Sequence, residues 1–383
     1  MTPHLTIIIV ATVGSHLRCF HLPWVKHLQS RGFKVIGAAS DIATCPQRCS
    51  VFDEVATVPF SRSILSWQQI CRAGSVLSEL CDRVEPLLVH FHTPNAAFWG
   101  RLALAGRKNK PKIAYTCHGF HFQGGGNVLK NRVYKTAESW MAHHTDALIT
   151  INPEDFKAAS EFQLAPGGFV EQISGIGLDL NRFNPDQFSV LQLRDRLRKE
   201  LNVACSSPMV LMVAEFIPRK RHQDLLAAVK RCKNKDFHLL FAGNGKGLET
   251  VKQQAFQLGL HKRVHFLGFR NDIPEILAGV DVVVLPSEQE GLPACVMEAL
   301  AMGKPVIGAN VRGTRDLLGS DCGWLHEVGD VGSLARQIDH VLTNSMEALQ
   351  RAANGRGKIL TQYGWPQVRE QLVKIYRRLG VNL

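Results

Sequence analysis

The chain has 383 residues, of which 45% are hydrophobic, and its formal net charge is +12. This length suggests two domains, and the hydrophobic content supports packed cores and excludes a disordered chain. The excess of basic residues indicates an anionic partner, which would be nucleic acid, an anionic bilayer or a phosphorylated small molecule.

The cysteines and the apolar runs indicate the cellular compartment in which we expect the protein. The ten cysteines are scattered and none forms a Cys-x-x-Cys pair, so we expect reduced thiols. No stretch of 18 uninterrupted apolar residues occurs, and the first apolar run, residues 5–11, is too short for a signal segment or a membrane span. We therefore expect a cytoplasmic protein whose membrane contact, if any, is peripheral.

The first half alternates short apolar strands with amphipathic segments. Apolar side chains at helical spacing predict a helix over residues 63–80, and a turn at Gly14 leads into a helix through Leu28. The predicted strands are 5–11, 34–39, 54–58, 87–91, 112–116, 148–151 and 171–174. This alternation favours a parallel sheet with right-handed crossovers.

The second half repeats the pattern and ends in a predicted helix over residues 365–379. Its predicted strands are 209–214, 237–242, 264–267, 280–285 and 305–308. Residues 181–187 are polar, contain a proline and predict a hinge. We therefore predict an α/β fold with two Rossmann-like, doubly wound domains facing each other across a cleft, residues 1–184 and residues 185–362.

The most informative motif is a pair of glutamates, Glu290 and Glu298, with Gly291, Leu292 and Pro293 after the first. Because proline is tolerated in the first turn of a helix, we expect Glu290 in the loop after a strand and Glu298 about two turns into a helix. That edge of a parallel sheet binds ligands, and the free N–H groups of a helix start suit a phosphate or a sugar oxygen. The alternative is an ordinary surface helix with two solvated carboxylates.

Other polar and glycine-rich residues also lie at predicted strand ends. They are Gly14, His92, His118, Lys220, Gly243 and Gly245. Parallel strands end at one edge of a sheet, so these residues predict a site at the carboxyl edges of the two sheets.

In this order and spacing, the motifs resemble retaining glycosyltransferases of the GT-B fold, family 4, of the kind that assembles bacterial exopolysaccharide and O-antigen. The matching elements are Thr116-Cys117-His118-Gly119, Gly177-Leu178-Asp179 with Phe183, Ala214-Glu215-Phe216-Ile217-Pro218-Arg219-Lys220, Gly243-Asn244-Gly245 and Glu290 with Glu298. The resemblance implies an acceptor-binding domain over 1–184, a nucleotide-sugar domain over 185–362, and a helix in 363–383 that packs back on the N-terminal domain.

The implied reaction moves a hexose or N-acetylhexosamine from a nucleoside diphosphate sugar, UDP by family habit, to a glycan or a polyprenyl-diphosphate-linked acceptor. Charge builds on the leaving diphosphate, so catalysis needs cations and N–H donors there. Many relatives carry an arginine at the position of Glu215, and that arginine pairs with the donor's phosphate. A glutamate cannot do so, and the resemblance therefore implies that Lys220, helped by Arg219, binds the phosphate. Gly14 is expected to let backbone N–H groups approach the phosphates.

The resemblance assigns the remaining site residues. Glu298 would accept hydrogen bonds from the ribose hydroxyls, and Glu290 would contact the transferred sugar or offset positive charge at its anomeric carbon. His118 would contact the donor sugar, and as a free imidazole it would titrate near neutral pH. Two further segments complete the donor site. They are Gly243-Asn244-Gly245 and Gly291-Leu292-Pro293. With no obvious carboxylate nucleophile, we favour front-face attack, in which the leaving phosphate takes the acceptor's proton.

We expect no cofactor and no metal, because the chain lacks an Asp-x-Asp triplet and a full Gly-x-Gly-x-x-Gly. Alternatives are a structural histidine at His118 or a metal pair formed by His118 and His121. His90 and His92 lie on one strand, and we expect them to point to opposite faces and not to share a metal.

The acceptor is expected on the N-terminal half, where residues 120–126 form a flexible, aromatic-rich loop. Basic residues there could contact anionic lipid or a lipid-diphosphate acceptor, or could be ordinary solvated side chains. They are Arg107, Lys108, Lys110, Lys112, Lys130, Arg132 and Lys135.

Two other functions remain open. A nucleotide-sugar epimerase of the same fold would convert its substrate with no acceptor present. A polyanion-binding protein is suggested by the charge alone, and because no RNA- or DNA-binding signature is found, we expect no nucleic-acid partner.

Overall fold

A computed structural model describes residues 5–44, 50–61, 67–107, 109–204 and 207–383. The chain forms two units, the first made of Met1–Ile176 with Trp365–Leu383 and the second of Gly177–Gly364. The predicted boundary after residue 184 is therefore too late, and residues 181–187 do not divide the units. The reason is packing: Leu178 forms a β-bridge with Gly364, and Phe183 is buried in the core of the second unit.

The first unit contains a seven-stranded parallel sheet. Its strands are β1 (Thr6–Val10), β2 (Lys34–Ala39), β3 (Glu54–Thr57), β4 (Leu88–Phe91), β5 (Lys112–Cys117), β6 (Ala147–Thr150) and β7 (Phe169–Gln172). Their spatial order is β3-β2-β1-β4-β5-β6-β7. β1 and β4 are buried along their whole length, because a parallel sheet with helices on both faces leaves neither face to water.

The helices of this unit differ from prediction at two places. They are α1 (Gly14–Phe20), α2 (Leu22–Ser30), α3 (Trp67–Val84), α4 (Pro94–Leu104), α5 (Val128–Ala142) and α6 (Pro153–Ala159). The single helix predicted through Leu28 is two helices, because Pro23 has no N–H to donate and begins a new helical turn. The helix predicted over 63–80 continues to Val84, and residues 63–66 of the prediction lie outside the described residues.

The second unit contains a six-stranded parallel sheet. Its strands are β8 (Met209–Val213), β9 (His238–Ala242), β10 (Val264–Gly268), β11 (Val282–Leu285), β12 (Val306–Ala309) and β13 (Trp324–His326). Their order is β10-β9-β8-β11-β12-β13. Strand β13 was not predicted, because three residues are too few for a periodic pattern.

Within the described residues, eight α-helices belong to the second unit, and one further α-helix completes the first unit. Those of the second unit are α7 (Val190–Leu201), α8 (His222–Arg231), α9 (Leu248–Gln257), α10 (Ile273–Gly279), α11 (Ala294–Ala301), α12 (Thr314–Leu318), α13 (Val331–Thr343) and α14 (Ser345–Lys358). The last helix, α15 (Trp365–Arg378), belongs to the first unit. There the hydroxyl of Tyr376 accepts a hydrogen bond from Trp24 Nε1 at 3.0 Å and lies 2.8 Å from His90 Nδ1.

Both sheets have the doubly wound topology, and the predicted α/β class with two Rossmann-like domains is confirmed. In each sheet the strand order reverses once, between β1 and β4 and between β8 and β11. Ligands of doubly wound folds bind at this reversal, outside the carboxyl ends of the strands. Within the described ranges, no helix is both long and apolar enough to cross a bilayer.

Candidate active site

The strand reversal of the second unit brings Lys220 and Glu290 together. Lys220 ends the short 3-10 turn Pro218–Lys220 after β8, and Glu290 lies in the loop after β11. The Lys220 ammonium donates a hydrogen bond to Glu290 Oε1, and the two side chains are only 13% and 8% exposed. Two of the three residues predicted to be catalytic thus form one shielded ion pair.

Three further hydrogen bonds fix the loops that carry this pair. The Glu288 amide donates to the carbonyl of Arg219 at 2.9 Å, and Arg219 Nη1 donates to the carbonyl of Gln289 at 3.1 Å. The Arg312 guanidinium donates through Nε to the carbonyl of Glu290 at 3.1 Å. Arg219 therefore fixes the loop that contains Glu290, and Arg219 itself belongs to the turn that ends in Lys220.

Arg312 is the site residue that the sequence analysis missed. It is 4% exposed and follows β12, at the same sheet edge as Lys220 and Glu290. A single arginine in a loop matches no motif. Its only signal was its position just after a predicted strand, which is the criterion that selected the other candidates.

The predicted glycine turn shapes the loop that carries Lys220. Gly243 has a φ of 147° and Gly245 a φ of 155°, values that side-chain-bearing residues rarely adopt. A Cβ atom on Gly243 would lie 2.0 Å from the carbonyl oxygen of Ala214, and one on Gly245 would lie 2.6 Å from the nitrogen of Phe216. Between them, the carbonyl of Asn244 accepts a hydrogen bond from Phe216 N at 2.9 Å. Glycine is thus required on both sides of this contact.

The segment between the two glutamates leads into α11, with Pro293 at its N-cap. The backbone of Gly291 is approached closely by Gly313, whose Cβ, if present, would lie 2.2 Å from the Gly291 oxygen. Leu292 is partly buried and packs against the core of the unit. Glu298 is the fifth residue of α11, so it lies little more than one turn into the helix and not two.

The Glu298 carboxyl group has an unusual proton affinity. Burial raises its pKa from 4.5 to about 7, and the positive charge of Arg182 opposes this rise only in part. Near neutral pH the carboxyl is therefore divided between its ionised and protonated forms. A ligand that donates hydrogen bonds to it would stabilise the ionised form.

In the first unit, His118 follows β5 and joins a group of histidines. Its Nε2 lies 3.4 Å from His92 Nδ1, and its ring centroid lies 5.0 Å from that of His16. Burial lowers the pKa of His118 well below its ordinary value, and the neighbouring histidines lower it further. The expectation that His118 titrates near neutral pH is therefore wrong, and the imidazole is neutral there.

The expectation that His90 and His92 face opposite sides of the sheet is also wrong. Their ring centroids are 4.0 Å apart, because residues two positions apart on a strand share a face. Both ring nitrogens of His90 have partners, the hydroxyls of Tyr376 and Thr116, each at 2.8 Å. His90 is thus a structural residue.

Two other predictions for the first unit need correction. The Gly14 amide donates a hydrogen bond to the Asp41 carboxylate, so this N–H is not free for a phosphate. A Cβ atom on Gly14 would lie 3.0 Å from the Cα of Ile42, which explains the glycine by packing. The rings of Phe120 and Phe122 stack in the core with centroids 4.7 Å apart, so neither offers its ring to an acceptor.

The predicted basic surface separates into two parts. Lys112 begins β5, and so it lies at the sheet edge opposite to His118; it pairs with Asp146 at 3.0 Å. Arg107 pairs with Asp82, and Lys110 Nζ donates to the carbonyl of His144 at 3.2 Å. Lys108 lies outside the described residues. The other three basic residues, Lys130, Arg132 and Lys135, lie on α5.

Several apolar side chains of α5 face solvent. Val128 is 82% exposed, Leu129 73%, Val133 61% and Trp140 51%. Two hydrogen bonds anchor the preceding loop: Asn131 Nδ2 donates to the carbonyl of Gln123 at 2.7 Å, and the Gly124 amide donates to Glu154 Oε1 at 2.9 Å. An anchored loop thus leads into a helix that is both basic and apolar on its exposed surface.

Comparison with known proteins identifies the family. The family model described as glycosyl transferases group 1 matches residues 194–358, and the model for glycosyltransferase family 4 matches residues 24–167. A candidate glycosyltransferase, EpsD of Bacillus subtilis (strain 168), is 32% identical over 374 residues, which cover 97% of this chain and 96% of EpsD. The chain belongs to the GT-B glycosyltransferases of family 4. It is a glycosyltransferase enzyme.

A second relative and a solved structure extend this result. The UDP-Gal:alpha-D-GlcNAc-diphosphoundecaprenol alpha-1,3-galactosyltransferase of Escherichia coli is 31% identical over 310 residues, 77% of this chain and 76% of that protein. The structure of Anabaena Alr3699/HepE in complex with UDP matches with a TM-score of 0.77 and 20% identity, and covers 97% of this chain and 99% of that one. At this identity the structure supports the GT-B fold alone.

Proposed function

We propose that this glycosyltransferase transfers a hexose or N-acetylhexosamine from a UDP-sugar, with retention at the anomeric carbon, to a polyprenyl-diphosphate-linked or glycan acceptor of a cell-surface polysaccharide. The observation that carries the proposal is the shielded Lys220–Glu290 pair at the strand reversal of the second unit, with Glu298 on the helix that follows.

The Lys220–Glu290 pair suits a diphosphate donor, because a diphosphate that binds Lys220 would also release Glu290 to act on the sugar. Without a donor, the Lys220 charge is neutralised by Glu290. A diphosphate oxygen at Lys220 would replace that carboxylate in a charge-assisted hydrogen bond, which contributes about 1.5–3 kcal/mol. Glu290 would then be released toward the sugar, where its charge can offset that of the anomeric carbon. Glu298 would accept hydrogen bonds from the ribose hydroxyls.

The choice of UDP and of a lipid-linked acceptor rests on the relatives. The E. coli relative is named for a UDP-galactose donor and a diphosphoundecaprenol-linked acceptor, and HepE is in complex with UDP. The basic and apolar residues of α5 support an acceptor held at an anionic bilayer, since each lysine or arginine near such a surface contributes about 1 kcal/mol. We propose that α5 contacts the membrane.

The reaction is proposed to proceed by front-face attack without a metal. Lys220 and Arg219 would neutralise the leaving diphosphate, and the leaving phosphate oxygen would take the acceptor's proton. The carbon–oxygen bond to the acceptor then forms on the face from which UDP departs. Trapping a covalent glycosyl-enzyme intermediate would contradict this order of events.

The test is thermal stabilisation by UDP, GDP, ADP and their sugars, followed by a transfer assay. A ligand at a hundredfold excess over its Kd stabilises the protein by about 2.7 kcal/mol. Lys220→Ala and Glu298→Ala should lose the shift, and the exposed controls Lys262→Ala and Glu249→Ala should keep it. No shift with any nucleotide would overturn the proposal, and conversion of the UDP-sugar without an acceptor would favour an epimerase.

A further inference from the structure

Four histidines of the first unit form a compact group, and the transfer reaction gives a role to only one of them, His118. His16 lies on α1, His21 between α1 and α2, His92 after β4 and His118 after β5. The ring centroids of His16 and His21 are 5.1 Å apart, and those of His21 and His118 are 5.7 Å apart. We call this group the histidine cluster.

The histidine cluster contains buried nitrogen atoms that lack hydrogen-bond partners. His21 is 5% exposed and His92 is 3% exposed. The Nε2 atoms of His16, His21 and His92 are buried and make no hydrogen bond within the part of the chain that the structure describes. Buried polar atoms normally have partners, and the unpartnered nitrogens of His16 and His21 can therefore serve as ligand atoms. His90, on the adjacent strand, shows the contrast, because both of its nitrogens are bonded.

We propose that His16, His21 and His118 bind a divalent transition-metal ion, with Zn²⁺ as the first candidate. Each of the three offers a ring nitrogen, and these nitrogens all lie within 4.8 Å of one another. Imidazole nitrogens suit Zn²⁺, Cu²⁺ and Ni²⁺, whereas Mg²⁺ and Ca²⁺ prefer oxygen ligands. Three histidines with one open position form a known type of zinc site.

The geometry needs only side-chain rotation to accept the ion. Zn–N bonds of about 2.0–2.1 Å place tetrahedral ligand atoms about 3.4 Å apart. His16 and His118 are partly exposed and can turn toward His21, which is held in the interior.

The site has a consequence for the enzyme. His118 is the residue that the family resemblance assigns to the donor sugar, so a bound ion would occupy that imidazole. The metal would then act as a reversible inhibitor and not as a cofactor of the transfer. Metal binding itself does not depend on the proposed function; only this inhibition does.

The test is a titration of tag-free, metal-free protein with Co²⁺, followed by displacement with Zn²⁺. The visible absorption of tetrahedral Co²⁺ reports the ligands directly, without substrate or activity. We expect one ion per chain, and at least about tenfold weaker binding in His16→Ala and His21→Gln, since the loss of even an outer partner costs that much. The matched control is His121→Ala, which removes a histidine near His118 in the sequence but outside the proposed ligand set, and it should keep the wild-type affinity.

Three results would overturn the proposal. They are the absence of saturable binding at one equivalent, an unchanged affinity in His16→Ala, and an equal loss in His121→Ala. If circular dichroism shows that His21→Gln does not fold, the affinity of His16→Ala decides the test. His16 is partly exposed, so we expect its replacement to leave the fold intact. Zn²⁺ should also inhibit transfer, with a chelator restoring activity; binding without inhibition would refute only the role of His118 in transfer.

Discussion

The ion pair between Lys220 and Glu290 is the residue-scale feature with the clearest energetic consequence. Both side chains are largely shielded from water, so removing one partner leaves a charge that solvent cannot fully stabilise. Such removal costs about 3–5 kcal/mol, whereas replacing both partners with neutral groups costs less. The residues proposed to bind the donor therefore also stabilise the unit that contains them.

A double-mutant cycle tests this coupling. Lys220→Ala should lower the free energy of unfolding of the second unit by about 3 kcal/mol, and adding Glu290→Gln should restore part of it. The measurement is chemical denaturation of both single variants and the double variant. The same cycle on the exposed pair Lys135–Glu161 is the control and should give a coupling below about 1 kcal/mol. Equal couplings at the two pairs would contradict the argument.

Glu298 predicts a pH-dependent stability. Its folded pKa is raised from 4.5 to about 7, so the fold favours the protonated form. This stability is fully present below pH 4.5 and is lost as the pH rises to about 7. Relative to Glu298→Gln, the wild type should therefore lose stability between pH 5 and pH 8, by up to about 3 kcal/mol at 1.36 kcal/mol per pKa unit.

Denaturation at both pH values checks the sign of this effect. Glu249→Gln, at a largely exposed side chain of the same unit, should change the free energy of unfolding equally at pH 5 and pH 8. A wild type that gains stability relative to Glu298→Gln as the pH rises would show that the carboxyl is stabilised in its ionised form.

Among the elements, α5 is unusual because its exposed surface is both apolar and basic. Leu129 and Val133 are more than half exposed, although burying such a side chain contributes about 1.5–3 kcal/mol. The membrane contact proposed above would bury them, and the basic residues of the helix would meet anionic headgroups. The same helix contributes only Met141 and Ala142 to the residues buried within its own unit.

Vesicle binding tests the role of α5. Leu129→Ser should weaken co-sedimentation with vesicles that contain anionic phospholipid by about tenfold, the equivalent of 1.4 kcal/mol. The matched control is Leu349→Ser, at an equally apolar residue that is 61% exposed on α14 of the second unit. Both variants should unfold like the wild type. A similar loss of vesicle binding in the control would contradict a specific role for α5.

At the scale of the whole molecule, the two units differ in how the chain builds them. The second unit is one continuous segment, Gly177–Gly364, whereas the first needs Trp365–Leu383 in addition to the N-terminal segment. Within the first unit, Tyr376 on α15 is fully buried and bonds to both Trp24 and His90. The C-terminal helix is therefore part of the first unit's core.

This architecture predicts different results for the two segments when each is expressed alone. Residues 177–364 should fold cooperatively and bind UDP, because they contain Lys220, Glu290 and Glu298 with the loops that hold them. Residues 1–176 should be unstable or insoluble, because they lack the partner of Trp24 and His90. Far-UV circular dichroism and thermal denaturation measure both outcomes. A stable 1–176 fragment would show that α15 contributes little to the core.

The sequence by itself determined the class of the fold and the family, because both depend on local signals. Strand and helix periods differ, and the pair of Glu290 and Glu298 with Gly-Leu-Pro between them lies within nine residues. Strand β13 was not predicted, because its pattern covers only three residues. The domain boundary was predicted too late, because the long-range bridge between Leu178 and Gly364 gives no local signal in the sequence.

Only the tertiary structure decided which distant residues meet. The strand order brings Lys220 into contact with Glu290, with Arg312 beside them, and it assembles the histidine cluster from three parts of the chain. Burial then set the properties of these groups, raising the pKa of Glu298 and lowering that of His118. Burial and long-range contact belong to the packed chain as a whole, so residue type and spacing alone do not specify them.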